Sequence, residues 1–283
     1  MSGSNLRHAG PADAGHSVSI SALGGRASMW LTGRVNRKTR PHAERLRFYT
    51  DESNAVHEQY MSDPELRRKY EYFLDWQVAY TLPFYSEFME VPQTAAAVEF
   101  VISDLIGTNI SARDADLARV VPIMVRLLPE KALQALASAL ELNARALSIN
   151  LDICRTLFEL IDTSAGISER DYCDAFRRST TLDECMELID LTTVLGHNLK
   201  RLVRKPMLGM TLRAMHGPAH AAGFGAMQDF LEKGYSTFHA IEDVDYFLVR
   251  FAARLADVFT RICKEPLDNM DTTPSYAPSV SLP

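Results

Sequence analysis

The chain has 283 residues, 47% of them apolar and 23% charged, which supplies a buried core and argues against a fibrous, low-complexity or wholly disordered protein. Its formal net charge of -6 is unevenly spread: residues 1–47 hold eight Lys/Arg against two Asp/Glu, and the remainder twenty-two against thirty-four. The four cysteines, Cys154, Cys173, Cys185 and Cys263, form no CxxC pair, which argues against a zinc knuckle or dense disulfide framework and for a reducing, cytoplasmic setting.

No uncharged apolar window approaches the roughly eighteen residues of a membrane span; the best, Val120 to Leu128, is bounded by Arg119 and interrupted by Arg126. Val18 to Leu23 is too short and serine-broken for a secretory signal.

Residues 1–50 carry scattered glycines and serines with no sustained period and are expected to be a disordered basic leader. The first strong helix start is Ser62-Asp63-Pro64-Glu65, an Asp cap followed by a proline whose missing N–H costs nothing there. Leu66, Tyr70, Phe73, Leu74, Gln77 and Val78 continue it at three-and-four spacing until Pro83 stops or kinks it. Pro92 opens the next, with Val98, Val101, Ile102, Leu105 and Ile106 as its apolar stripe and Gly107 as its end. A helix from Ser111 or Arg113-Asp114 should bend at Pro122 and close at Pro129.

Lys131 to Ile161 is the longest helical run, followed by a loop at Thr163 to Gly166. Ser168 and then Thr181 or Asp183 cap two further helices, and Pro206 and Pro218 each sit where a helix would restart. The last helix runs from about Asp243 to Ile262. After Pro266, prolines among serines and threonines predict a frayed tail. The expectation is an all-α protein: a disordered basic leader over 1–50, a single multi-helix bundle-like domain over 51–265, and a disordered tail over 266–283.

In order and wording, several segments resemble the FFLEELY-motif proteins of bacteria. Trp76-Gln77 matches that family's WQ pair, Phe100 to Gly107 falls where it carries FFLEELYG, Arg113-Asp114 matches RD, Leu127-Leu128-Pro129 matches LLP, and Leu147-Ser148 with Leu151-Asp152 matches LSxxLD. Met215 to Glu232 looks like its MRxPAxxAGLxxLQxFLE, with His216 where the family usually has Arg. The match covers about residues 70–263. At the eponymous motif this chain keeps only Phe100, Leu105 and the acidic character of Asp104. The resemblance implies a bacterial, intracellular, all-α protein and carries no catalytic assignment.

The residues themselves offer few constellations. There is no GxSxG elbow, no Walker-type or GxGxxG phosphate loop, and no cysteine with a histidine close in sequence. Glu87, Glu90, Glu99 and Asp104 lie close in sequence but lack the ExxH pairs of a carboxylate-bridged di-metal bundle. His216 and His220, four apart, have the spacing of two ligands on one helical face, but Gly217-Pro218 between them suggests that they straddle a helix start as capping or loop histidines; no metal is expected. On a helix after Pro218, His220, Phe224, Gln228 and Glu232 would follow at four-residue steps, with Gly223 among small residues that let another backbone or a flat ligand approach. Those five are the candidate ligand-binding residues; no cofactor is named. The leading expectation is a non-enzymatic helical protein acting through protein–protein contacts or self-association. A bundle holding a small apolar ligand or cofactor, possible as an enzyme, is the alternative, and nucleic-acid binding by the basic leader is opposed by the acidic body.

Overall fold

The structure, a computed structural model, describes residues 40–106, 120–122, 125, 130–161 and 166–276. Among these residues there is no strand; a single antiparallel bridge joins Ile167 to Ser275, and every other regular element is helical. The fold class is therefore all-α.

Helix α1 spans Arg40–Met61 and packs chiefly on α4, Glu130–Leu160, the longest helix at 31 residues. Its buried seam is Leu46, Thr50, Ser53 and Tyr60, on one helical face. Residues 40–50 thus belong to the folded domain, which corrects the expected disordered leader at its inner end. The reason is visible in the seam: two of its four positions are small hydroxyl residues, so hydrophobic periodicity does not report it. Their polar groups are satisfied within the seam, Thr50 donating to the Leu46 carbonyl at 2.7 Å and Asn143 donating to the Ser53 hydroxyl at 3.4 Å. Residues 1–39 lie outside the described residues.

Helix α2, Pro64–Thr81, begins as the sequence predicts, with Asp63 accepting from the amides of Glu65 and Leu66. Pro83 ends it in a 3₁₀ stretch, Leu82–Phe88. Helix α3, Pro92–Glu99, continues without a break into a π-helical stretch, Phe100–Ile106. Of the helix expected across Ser111 to Pro129, only Val120 to Pro122 and Val125 are described; Val120 and Val121 are buried. The loop expected at Thr163 to Gly166 lies outside the described residues except for Gly166.

Helices α5, Glu169–Ser179, and α6, Leu182–Val203, each open on a reciprocal capping box, Ser168 with Asp171 and Thr181 with Glu184. Then come α7, Pro206–Ala221, α8, Gly225–Ala240, and α9, Val244–Lys264, capped by Asp243. Pro218 lies inside α7 and does not restart a helix. The residue before a proline is normally driven from helical geometry by the clash of the proline ring with its Cβ; here that residue is Gly217, which has none. The helix still forfeits the hydrogen bond that residue 218 would have given to the Ala214 carbonyl.

Helix α4 is central, touching α1, α2, α5 and α6. The aromatic residues of α2 build one core with α4 and α5: Tyr60 on Tyr70 at 4.7 Å, Trp76 stacked on Tyr80 at 5.1 Å, and Tyr172 against both Trp76 and Tyr80. Tyr85 and Phe88 join Phe247 and Phe251 of α9 in a second core, so this aromatic series fills space in the main. Helix α9 spans both cores, with Phe247 and Phe251 in one and Val258 and Ile262 in the other.

After Pro266 the chain does not fray at once. Leu267–Asn269 forms a 3₁₀ turn, Met270 is buried, and Ser275 pairs its backbone with Ile167. The frayed tail expected from 266 is therefore not found over residues 266–276; residues 277–283 lie outside the described residues.

Candidate functional site

The α7–α8 hairpin carries the candidate residues. It turns at a Schellman closure: Phe224 donates its amide to the Ala219 carbonyl at 2.8 Å, Gly223 donates to His220 at 3.1 Å, and Gly223 has φ +80°. That left-handed conformation suits glycine because it has no Cβ to meet the carbonyl. The continuous helix expected after Pro218 is thereby replaced by the end of one helix and the start of another. His220, Phe224, Gln228 and Glu232 do not form a four-residue ladder, and Gly223 is a turn glycine with nothing packed where its side chain would be.

The reversal brings part of the set together by another route. His220 Nε2 lies 2.8 Å from Asp229 Oδ1, and His216 Nδ1 lies 3.1 and 3.2 Å from the two carboxylate oxygens of Glu232. The two imidazole rings are 4.4 Å apart, so both histidines do share one turn of α7. Gly225 makes room for His220: a Cβ there would sit 2.6 Å from the ring Nδ1. Gln228 is buried and donates its amide both to the Leu212 carbonyl, at 2.7 Å, and to Glu232 Oε1, at 2.8 Å, which fixes the carboxylate relative to α7. Phe224, half-buried, is the residue before α8. Asp229 was not singled out in the sequence; Gly223 followed by Phe224 is the Schellman signal that would have placed it opposite His220.

Beside the hairpin lies an apolar cavity of about 200 Å³ between the π-helical stretch, α4, α6, α7 and α8, bordered by Phe100, Ala135, Ala139, Leu199, Leu212 and Phe230 among others. None of His220, Gly223, Phe224, Gln228 or Glu232 borders it. The small residues that open it are Ala132, Ala135 and Ala139 of α4, not those near Gly223. Deeper lie two cavities of about 90 and 80 Å³, both bordered by Ile102. The π-helical stretch, which falls where the FFLEELY wording aligns, thus faces every one of these cavities; such stretches are rare and often occur at functional sites.

The carboxylates considered for a di-metal centre do not converge. Glu87 pairs with Arg250 and Arg254, whose guanidinium groups hold its carboxyl below the usual range against the opposing effect of burial, while Asp104 pairs with Lys233. A basic cleft at the end of α6 holds Lys131, Lys200, Arg201, Arg204 and Lys205; Lys200 pairs with Asp245 and Arg204 donates to the Glu242 carbonyl, so these cations complement helix ends and neighbouring acids.

Fold and cavities together define an all-α helical-bundle protein with an apolar interior cleft and a polar, histidine-bearing hairpin. The chain belongs to the family described as a domain of unknown function, DUF8198, which matches residues 56–268. No curated protein and no solved structure matches it.

Proposed function

We propose that the protein acts without catalysis, as a helical module that docks another helix on the outer face of α7. The observation that carries this is the stripe Met207, Met210, Ala214, Gly217 and Ala221, recurring at three-and-four spacing with every member exposed, Met207 at 74% and Met210 at 55%. An apolar stripe along a helix is ordinarily buried against another element. α7 packs chiefly on α8 and of its residues only Gly209 is buried, so the opposite face is left to another helix. The spacing is that of a two-helix seam, and its small residues permit close approach. Methionines adapt to varied apolar partners.

The simplest partner is α7 of a second copy. Sedimentation velocity over a wide concentration range tests this: the expected outcome is a concentration-dependent dimer for the natural chain and a monomer for Met210→Glu. A natural chain that stays monomeric throughout, or a variant that dimerises equally well, overturns self-association.

A second reading, a small apolar ligand, is supported by the cavity of about 200 Å³. An apolar protein cavity of about 150 Å³ admits benzene. Four free cysteines, three of them buried, fit the reducing cytoplasm proposed as its compartment. Among the described residues no helix is long and apolar enough to cross a membrane. Kinship with the bacterial FFLEELY-motif proteins belongs to the same proposal, supported by the structural parts played by Trp76, Gln77 and Phe100.

A further inference from the structure

We propose that His216, His220, Asp229 and Glu232 bind one divalent transition-metal ion of the zinc class across the α7–α8 hairpin. Ligand atoms of His216, His220 and Asp229 already lie within 4.8 Å of one another. Glu232 reaches His216 Nδ1 at 3.1 Å, and Asp229 reaches His220 Nε2 at 2.8 Å. With zinc bonds of about 2.0–2.1 Å, two donors on one tetrahedral ion stand about 3.3 Å apart. The two histidine–carboxylate separations are therefore close to edges of that tetrahedron; His216, His220 and Asp229 are the gathered three, and Glu232 would join as the fourth ligand from its place against His216.

Three features favour an ion over two separate surface pairs. The donor set is two imidazoles and two carboxylates, whose combined charge with neutral histidines balances a divalent cation, and the nitrogen-oxygen mixture suits zinc and its first-row neighbours. The His220 ring stands close over Gly225, where a Cβ would sit 2.6 Å from Nδ1, and presents Nε2 to Asp229. Glu232 is held from behind by the buried amide of Gln228, as outer partners of metal-ligating carboxylates are held. The adjacent cation, Lys233, is paired with Asp104 and so does not occupy the carboxylate of Glu232. The ion would tie the two arms of the hairpin together below the turn at Gly223. This site stands apart from the apolar outer face of α7 and does not depend on it.

The test is calorimetric titration of the full, chelator-stripped chain with zinc chloride, paired with cobalt chloride absorption. Expected are one ion per chain, tetrahedral cobalt bands without a thiolate charge-transfer band, and at least a tenfold loss of zinc affinity in His216→Ala and in Asp229→Asn. Both side chains are exposed, so neither variant threatens the fold. Gln228→Ala should lower affinity about 10- to 100-fold through its hold on Glu232. Cys263→Ser, which removes the most ionisable thiol, should bind zinc as the natural chain does. No binding, binding undiminished in His216→Ala and Asp229→Asn, or binding lost in Cys263→Ser each overturns the proposal, the last by moving the ion to the thiols.

Discussion

The indole N–H of Trp76 donates to the hydroxyl oxygen of Ser275 at 2.7 Å, joining α2 to a residue 199 positions further along the chain. Ser275 in turn donates its hydroxyl to the Ile167 carbonyl and exchanges both backbone hydrogen bonds with Ile167. Glu169 adds a second tie, accepting from the Asp271 amide at 3.1 Å and from Tyr80 at 2.8 Å. The segment after Pro266 is ordered by these side chains and by buried Met270.

Ser275→Ala should therefore cost about 1–3 kcal/mol, since it leaves a largely buried indole N–H without its acceptor. Urea unfolding measures the loss. Hydrogen exchange should accelerate across residues 270–276 more than in α4. Unchanged exchange in that segment would show that the bond does not hold it.

A second prediction concerns Glu141, the acid at the α1–α4 seam. Burial raises its carboxyl, but hydrogen bonds from Tyr49 and Arg45, with the charges of Arg45 and Arg145, outweigh that and bring it below 4.5. A carboxyl depressed in the folded state contributes stability above its unfolded value and loses it as the pH falls through the folded one. Glu141→Gln should cost about 1–2 kcal/mol at neutral pH, and the variant's unfolding free energy should converge on that of the natural chain once the pH has fallen through the depressed folded-state value of the carboxyl. Parallel curves down to acid pH would mean that the ion pairs contribute nothing.

The caps and the central helix could be read from sequence because their causes are local. Asp63, Ser168, Thr181 and Asp243 cap helices through amides two or three residues away, and the apolar repeat of α4 is long and regular. The first turns of α1 and the C-terminal segment could not, because the first hides its seam behind Thr50 and Ser53 and the second is held by partners such as Trp76 that no periodicity reveals. At the candidate site the four-residue ladder expected from His220 to Glu232 does not form, because its cause is a turn and not a period. Gly217 let Pro218 stay inside α7 and Gly223 broke the chain later, so His220 met Asp229 across a hairpin and Glu232 came to His216.

Cys263 should be the reactive thiol. The Cys185 thiol donates to it and lowers it below the ordinary thiol value against the effect of burial, with Arg177 and Lys264 assisting. Burial pushes Cys173 up to about 11 and Cys154 up to about 12, and Cys185 rises as the donor of the pair. Because the thiolate is the nucleophile, a short iodoacetamide pulse should label Cys263 first, at a rate that rises with pH and at a lower pH than for the other three thiols. Peptide mass spectrometry reads the order. Equal labelling of Cys154 or Cys173 in the folded chain would contradict it.

The apolar-ligand reading stands or falls on the cleft beside Ala139. Ala132, Ala135 and Ala139 lie at three-and-four spacing on α4 and stand back from Phe230, Leu212 and Phe100, leaving the space of about 200 Å³. If that space takes a ring-sized apolar molecule, indole at ten times its dissociation constant should stabilise the natural chain by about 1.4 kcal/mol, seen as a raised thermal midpoint. Ala139→Leu puts a larger side chain into the same volume. Burial of its added carbons, at about 0.8 kcal/mol each, should offset any crowding, so the variant should be as stable as the natural chain or more so, yet its midpoint should no longer respond to indole. The two measurements separate a cleft from a packed seam: a natural chain indifferent to indole, together with a variant that loses stability, would mean that side-chain adjustment closes the space in solution, and the protein would then be left with its outer surfaces, α7 foremost, as the means by which it acts.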